Sequence, residues 1–300
     1  MTVGVVGAGA VGQTVSALLV AASWCTAVMV TSRTKTAAAG LTCDLQDMAA
    51  VTGSSVRVTH ARHPGELAAC DAVVLCPRAA FTNTARTDVR MAGLAVNAPV
   101  IAGVARQLAG YSGLVIVVTN PVDVMTRLFA EVAGVRRVFG IGSHLDTARY
   151  RLALAHRLGV PLAAVGAHVV GEHGDGAVPC VTTLHRQELV AVPAGVEADA
   201  KGRSALINAG IGRTRCGPAG AVLAALTHAL GLTDGTLELS ARHGDAWLGV
   251  PVRFTAGQSA VVMPRLTEDQ DLALSAAVLK LNIAYGAIVP HLSSQKEAVS

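Results

Sequence analysis

The sequence of 300 residues predicts an α/β protein whose first half is a doubly wound parallel sheet. Short runs of β-branched residues alternate there with alanine-rich helical stretches, and the runs are continuously apolar, as is typical of strands covered on both faces. A glycine-rich segment also lies between the first predicted strand and the first predicted helix. Beyond residue 142 the pattern changes, which predicts a second part of α+β type.

The first half is expected to repeat one strand–helix unit, because parallel strands need crossover connections that helices usually supply. Strands are predicted at residues 3–6, 27–30, 72–76, 100–101 and 114–118, and helices at residues 10–22, 36–48 and 121–133. This part is assigned to residues 1–141.

The second half, residues 142–300, is predicted to mix helices with short strands. Helical segments are expected at residues 146–158, within 197–230 and at 268–285, and strands at residues 164–170, 236–240, 252–256 and 259–263. The chain is therefore expected to combine a parallel-sheet domain with an α+β domain that completes the site.

Composition excludes several functional classes. Hydrophobic residues make up 52% of the chain and charged residues 15%, which is enough apolar material for a large core. The net charge of +4 reflects few acids rather than a basic patch, and with 3% aromatic residues the chain has no stacking platform for nucleic acid. The six cysteines show no C-x-x-C pair, so they are expected to be buried free thiols rather than metal ligands.

No membrane segment or targeting signal is predicted. Charge, glycine or proline interrupts the most apolar windows before they reach the ~18 residues that a membrane span needs. The first residues run directly into a predicted strand without a basic segment before an apolar one. We therefore expect a cytoplasmic protein without a membrane partner.

The glycine-rich segment predicts a dinucleotide site. Gly7-Ala8-Gly9-Ala10-Val11-Gly12 matches G-x-G-x-x-G, directly after a strand and at the start of a helix. In this context Gly9 lets the backbone approach a pyrophosphate, Gly12 permits close helix packing, and the helix N-terminus attracts the phosphates. A purely structural tight turn is the alternative.

The end of the second predicted strand favours NADP(H) over NAD(H). An acid that bonds the adenosine ribose is expected there in NAD-binding domains, but this chain has Ser32 followed by Arg33. The missing carboxylate removes repulsion against a 2′-phosphate, and the guanidinium group of Arg33 can hold one. The alternative is that Arg33 is only a solvated loop residue.

Six motifs, in order, resemble those of the lactate/malate dehydrogenase family over nearly the whole chain. They are the glycine loop, Cys43-Asp44-Leu45-Gln46, Thr119-Asn120-Pro121-Val122-Asp123, Leu145-Asp146-Thr147-Ala148-Arg149, Gly171-Glu172-His173-Gly174-Asp175 and Leu279-Lys280. Counting back twelve positions from Asp44 places Ser32 where NAD-using members carry their acid. The resemblance therefore agrees with the preference inferred from the second strand.

The resemblance implies roles for individual residues. His173 corresponds to the catalytic acid/base, Asp146 to the carboxylate that orients its imidazole, and Arg149 to the arginine that grips the substrate carboxylate with two parallel hydrogen bonds. Asn120 corresponds to a residue that holds substrate and nicotinamide, and Thr214 to a small residue of the substrate pocket. The family also implies a homodimer or homotetramer.

Residues 78–89 resemble the mobile loop that closes over substrate in this family. Arg86 corresponds to the arginine that polarises the reacting carbonyl. Ala80 occupies the specificity position, where malate enzymes have arginine and lactate enzymes usually glutamine. Alanine offers neither group, which favours a 2-oxo acid with a bulkier or differently charged side chain, although Arg78 can take part if the loop register differs.

Three alternatives remain open from the sequence. The chain can be a malate dehydrogenase with a shifted specificity loop, or a dinucleotide-binding regulatory protein that has lost the chemistry. The run from Glu172 to Asp175 can also indicate a metal cluster, but it lacks a second histidine at the spacing of H-E-x-x-H. Intact His173, Asp146, Arg149 and Arg86 favour an enzyme that interconverts a 2-oxo acid and its L-2-hydroxy acid.

Overall fold

A parallel sheet with helical crossovers forms the first half of the molecule. A computed structural model describes residues 1–297, with side chains described for residues 1–289. The first elements are β1 (Thr2–Val6), α1 (Ala10–Ala21), β2 (Ala27–Thr31), α2 (Lys35–Thr52), β3 (Arg57–His60), β4 (Ala72–Leu75), α3 (Leu94–Gln107), β5 (Leu114–Val117), α4 (Val122–Ala133) and β6 (Val138–Gly140).

The six strands pair in the order β3-β2-β1-β4-β5-β6, and every pair is parallel. This is the strand order of doubly wound dinucleotide-binding folds, in which ligands bind beyond the carboxyl ends of the strands where the order reverses. All residues of β4 and β5 are buried, as expected for central strands covered on both faces. The predicted fold class is confirmed.

The second half extends the same sheet with antiparallel strands. Its elements are α5 (Ser143–Leu158), β7 (Val165–Gly171), β8 (Ala177–Leu184), β9 (Gln187–Glu188), α6 (Val196–Ile211), α7 (Cys216–Ala229), β10 (Gly235–His243), β11 (Ala246–Thr255), β12 (Gln258–Val261) and α8 (Glu268–Glu297). Strand β10 joins the edge of β6, and β11, β7, β8 and β9 follow in that order. The division at residues 141 and 142 lies directly after β6 and stays a prediction.

Two features of the fold differ from the sequence prediction. The strand expected at residues 100–101 is wrong, because these residues lie in α3, whose buried positions, including Asn97, Ile101 and Val104, recur at helical spacing. Strands β3, β6, β8 and β9 were not predicted. Only Val58 of β3 is buried, and Pro179 interrupts the apolar pattern of β8, so neither run shows the local signal of a strand.

The closing helix is longer and more apolar than predicted. Residues Glu268–Val289 of α8 have a mean hydropathy of 1.8 and are long enough to span a membrane. The expectation that no segment is long and apolar enough for a membrane span is therefore wrong for α8. A core helix of a soluble protein meets the same criterion, so length and composition do not distinguish the two. One face of α8 packs against the rest of the chain through buried Leu274, Ala277 and Leu281.

Candidate active site

A cleft of about 840 Å³ lies at the carboxyl ends of the parallel strands and is closed on the other side by the second half. Eight of the residues predicted to form the site line it: Gly9, Ala10, Val11, Asn120, Asp146, Arg149, His173 and Thr214. Of these, Thr214 follows α6 and is half-buried. The fold therefore brings the glycine loop and the residues around His173 to one cavity.

The glycine loop has the geometry of a phosphate cradle. Gly7 has a φ of +111°, and its backbone N–H donates to the carbonyl oxygen of Thr31 at 2.7 Å. A Cβ on Gly12 would lie 1.8 Å from the carbonyl oxygen of Gly7, whereas a Cβ on Gly9 would meet no atom within 4 Å. Gly12 therefore permits close packing of the helix, and the open face of Gly9 leaves room for a dinucleotide pyrophosphate beside the N-terminus of α1.

His173 and Asp146 form a buried pair. His173 follows β7, Asp146 lies in the first turn of α5, and the His173 Nδ1 atom is 2.6 Å from the Asp146 Oδ2 atom. Gly142 precedes α5 and allows this approach, because a Cβ there would lie 2.6 Å from the Cβ of His173. Asp146 thus fixes the ring and leaves Nε2 as the nitrogen that can exchange a proton with a ligand.

The surroundings shift both pKa values downward. Burial lowers the pKa of His173, and this effect outweighs the opposing influence of Asp146. Burial by itself raises the pKa of Asp146, but the His173 ring and two guanidinium groups hold that pKa below its ordinary value. Asp146 is therefore ionised, and it stabilises the imidazolium that forms when His173 takes up a proton.

Two arginines face the second oxygen of Asp146. The Nη1 atom of Arg149, one helical turn after Asp146 on α5, lies 3.7 Å from Asp146 Oδ1. The Nη2 atom of Arg90, which precedes α3, lies 3.7 Å from the same oxygen. Arg149 is buried and lines the cleft, so it can bind a carboxylate there. The sequence analysis did not identify Arg90, which lies outside the quoted motifs.

Asp123 supports the backbone of the histidine. It is buried in the first turn of α4, and its Oδ2 atom accepts the backbone N–H of His173 at 2.8 Å. Burial raises the pKa of Asp123 to about 7, although the bond from His173 opposes this shift. Asp123 is part of the motif at residues 119–123, but the sequence analysis gave it no role. The signal that could have identified it is its position at the start of a helix that directly follows a buried strand.

The raised pKa of Asp123 predicts a distinct pH dependence of stability. Between the ordinary aspartate pKa near 3.8 and about 7, the folded protein holds a proton that the unfolded chain has released, so ionisation at rising pH destabilises the fold. Relative to Asp123→Asn, the wild type is expected to lose up to about 1.4 kcal/mol of unfolding free energy per pH unit in this interval. Chemical denaturation of both proteins at several pH values measures this change in unfolding free energy.

Asp47→Asn on the exposed surface of α2 is the matched control, and the pH dependence should persist in it. Parallel stability curves for the wild type and Asp123→Asn between pH 4 and 7 would contradict the assignment.

Asn120 presents an unsatisfied polar atom to the cleft. It lies between β5 and α4, and its carbonyl oxygen accepts a hydrogen bond from Asn97 Nδ2 at 2.8 Å. Its side-chain Oδ1 is buried and has no hydrogen-bond partner among the described residues. Because an unpaired buried oxygen is costly, this atom fits a ligand donor such as a hydroxyl or an amide.

The loop of residues 77–90 does not bring all its predicted residues to the site. Ala80 and Arg86 are exposed and are not part of the cleft lining, so their roles in a closed loop stay predictions. Arg78 lines the cleft, and its guanidinium group lies 4.4 Å from the Phe81 ring centroid. Of the loop arginines, Arg90 is the one that approaches the His173–Asp146 pair.

Ser32 and Arg33 lie at the carboxyl end of β2, outside the cleft lining. Arg33 is exposed and forms no ion pair with any residue that the structure describes. Within those residues there is also no group of three or more histidine, cysteine or acidic side chains arranged to hold a metal ion.

The strand order and the glycine cradle define a protein that binds a dinucleotide through a Rossmann-type domain. Residues 1–140 match the sequence profile of the lactate/malate dehydrogenase NAD-binding domain. The chain is 31% identical over 303 residues to the L-lactate dehydrogenase of Deinococcus radiodurans, covering 93% of this chain and 97% of that enzyme. The chain belongs to the lactate/malate dehydrogenase family of 2-hydroxy acid oxidoreductases.

Other similarities agree with the family and leave the substrate open. The L-lactate dehydrogenase of Treponema denticola is 35% identical over 176 residues, which span 57% of this chain and 54% of that enzyme, about half its length. The solved malate dehydrogenase of Salinibacter ruber superposes with a TM-score of 0.85 at 26% identity, covering 99% of this chain and 100% of that one. Both substrate names therefore occur among the similar proteins.

Proposed function

We propose that the protein interconverts a 2-oxo acid and its L-2-hydroxy acid with a nicotinamide dinucleotide. One observation carries this proposal: the His173–Asp146 pair, joined at 2.6 Å, lies beside buried Arg149 in the cleft that the glycine loop also borders. Proton exchange, carboxylate binding and dinucleotide binding are thereby available in one cavity. The dinucleotide supplies or accepts the hydride when bound.

The chain's own residues perform the remaining steps. Arg149 binds the substrate carboxylate through its planar guanidinium group, which orients the adjacent carbonyl toward His173. Protonated His173 donates a proton from Nε2 to the carbonyl oxygen as the carbon is reduced, and neutral His173 takes it back in the oxidation. Asp146 stabilises the protonated ring, and Asp123 holds the backbone of His173.

Closure of the loop would complete the site. Arg86 is exposed here, and movement of the loop of residues 78–89 would bring its guanidinium group toward the carbonyl oxygen, where it would stabilise developing negative charge. Ala80 supports a substrate other than plain malate or lactate, because it has neither a charge nor a hydrogen-bonding group to offer a substrate side chain.

The test of the reaction is a substrate panel. Purified protein is assayed with pyruvate, oxaloacetate, and branched, aromatic and phosphonate 2-oxo acids against NADPH and NADH. Oxidation of the reduced dinucleotide with one of these acids supports the proposal. Dinucleotide binding without turnover of any acid would instead indicate the regulatory alternative.

We further propose that NADPH is preferred over NADH. Ser32 in place of an acid and the exposed, unpaired guanidinium group of Arg33 support a site for the 2′-phosphate at the end of β2. The family profile is that of an NAD-binding domain, so this preference needs its own measurement.

Wild-type protein is expected to show a higher kcat/KM with NADPH than with NADH. Arg33→Gln should lower kcat/KM for NADPH by roughly tenfold to a hundredfold, the worth of a charge-assisted hydrogen bond, with little change for NADH. Ser32→Asp should reverse the preference, because the carboxylate repels the phosphate. Arg57, which is exposed on β3, provides the control, and Arg57→Gln should leave the cofactor preference unchanged. A wild-type preference for NADH would refute the phosphate site.

A homodimer or homotetramer in the cytoplasm completes the proposal. Exposed Leu272, Leu279 and Ile283 on the outer face of α8 support association, since each leaves more than half of its surface uncovered in the single chain. All six cysteines are free thiols, which agrees with a reducing compartment, but the expectation that all are buried is wrong for Cys43 and Cys216, which are exposed. Light scattering and cell fractionation test these two statements.

A further inference from the structure

A buried carboxylate outside the cleft joins two histidines. Glu238 lies on β10, and its Oε1 and Oε2 atoms are 2.6 Å from His168 Nδ1 on β7 and 3.1 Å from His144 Nδ1 on α5. Only 5% of the Glu238 side chain is exposed, against 34% for His168 and 27% for His144. We call these three residues the histidine clamp. None of them lines the cleft, so contact with a ligand there does not explain the cluster.

An ionised carboxylate holds the histidine clamp together. Burial by itself raises the pKa of Glu238, but the two histidines lower that pKa to about 2. An ionised carboxylate only accepts hydrogen bonds, so both imidazoles donate from Nδ1. The nearby thiol of Cys180 stays neutral, because burial and the Glu238 charge raise its pKa to about 12. Loss of either histidine would therefore leave a buried carboxylate oxygen without its donor, which is costly.

The histidine clamp connects the two elements that carry the proton-exchanging pair. His144 lies two residues before Asp146 in the first turn of α5, and His168 lies on β7, the strand that leads into His173. Strand β11 separates β10 from β7 in the sheet, so the Glu238 side chain reaches across it. The start of α5 is thus tied to β7 on the side of the sheet that α5 covers.

Resting on the function proposed above, we propose that Glu238 is a positioning residue for the His173–Asp146 pair. Through the two histidines of the clamp it holds the start of α5 against β7, and this fixes the Asp146 carboxylate on the His173 ring. The pair joins residues 27 positions apart at 2.6 Å. Its geometry therefore depends on how α5 lies against β7, and a displacement of about 1 Å is enough to impair a positioned reacting group.

The test observes the ring nitrogens of His173 by NMR in protein labelled with nitrogen-labelled histidine, without substrate. The signals are assigned by their absence from His173→Asn. In the wild type, Asp146 should keep neutral His173 protonated on Nδ1. Glu238→Gln should raise the fraction protonated on Nε2 and move the titration of His173 to lower pH by roughly 0.5 to 1 pH unit, because Asp146 stabilises the imidazolium less well. An unchanged tautomer in folded Glu238→Gln would overturn the proposal.

Kinetics give a second readout of the same variant. Glu238→Gln should lower kcat roughly tenfold to a hundredfold, while the affinity for the dinucleotide stays unchanged. If the wild type reduces no 2-oxo acid, the proposed reaction fails, and the tautomer of His173 still decides the role of Glu238.

Two variants of partly exposed His168 test the proposal if the change at buried Glu238 prevents folding. His168→Asn keeps an N–H donor close to the place of Nδ1 and should preserve the wild-type tautomer of His173. His168→Leu removes the donor and should reproduce the effects expected for Glu238→Gln. Equal His173 tautomers in these two variants would contradict the positioning role.

Glu131→Gln is the matched control. Glu131 accepts hydrogen bonds from Arg127 and Tyr285 and so joins α4 to α8, much as Glu238 joins α5 to β7. The His173 tautomer should not change in this variant. The same change as in Glu238→Gln would indicate a general loosening of the fold and would also overturn the proposal.

Discussion

Replacing His173 with asparagine is expected to lower kcat for reduction of a 2-oxo acid by roughly a hundredfold to ten-thousandfold, the usual contribution of a positioned acid/base. Asparagine can still accept or donate a hydrogen bond near Asp146, but it cannot deliver a proton to the carbonyl oxygen. Binding of the dinucleotide should be unchanged because the glycine loop lies on a different element. Steady-state kinetics and dinucleotide titration measure the two effects.

The pH profile gives a second readout of the same residue. Since burial lowers the pKa of His173, the protonated form needed for reduction is lost as pH rises through a value below the ordinary histidine range. Reduction should therefore weaken with rising pH while oxidation gains, and Asp146→Asn should move this transition to lower pH because it removes the charge that stabilises the imidazolium.

His243→Asn is the matched control, since His243 is exposed at the end of β10. Turnover by His173→Asn within about threefold of the wild type would reject the catalytic role. That result would assign the proton transfer to another residue.

Replacing Arg149 with glutamine should lower kcat/KM for the 2-oxo acid by roughly 30-fold to several thousandfold, equivalent to about 2 to 5 kcal/mol for removing one partner of a buried, hydrogen-bonded charge pair. Arg149→Lys keeps the charge but loses the planar fork, so a smaller loss, roughly tenfold to a hundredfold, is expected. Kinetics with saturating dinucleotide measure both variants.

Arg157→Gln on the same helix is the control. Arg157 is partly exposed at the end of α5 and pairs with Asp199, and such surface pairs contribute little. Its kcat/KM should stay within about twofold of the wild type. An Arg149→Gln variant with the wild-type kcat/KM would show that the substrate carboxylate binds elsewhere.

Much of the fold could be predicted because its signals are local. The continuous apolar strands of the first half reflect burial on both faces, and the spacing of glycines in residues 7–12 reflects a turn that only those residues form. The i, i+3 offset of Asp146 and Arg149 likewise places both side chains on one face of α5 wherever the helix lies. These features depend on neighbours in sequence.

Other features were not predictable because they depend on distant segments. The β-branched pair at residues 100–101 resembles a strand until the packing of α3 is known. Residues of β3 are mostly exposed, so no alternation of buried and exposed positions marks that strand. Tertiary packing outweighed local propensity at these places.

The sequence by itself determined the fold class, the family and the residues proposed to exchange the proton and bind the carboxylate, because short-range spacing encodes strands, turns and helix faces. Only the tertiary structure decided that Arg90 rather than Arg86 lies beside Asp146, and that Asp123 lies behind His173. The physical reason is that these contacts join segments separated by dozens of residues. Their approach depends on how the loop, α4 and α8 pack together.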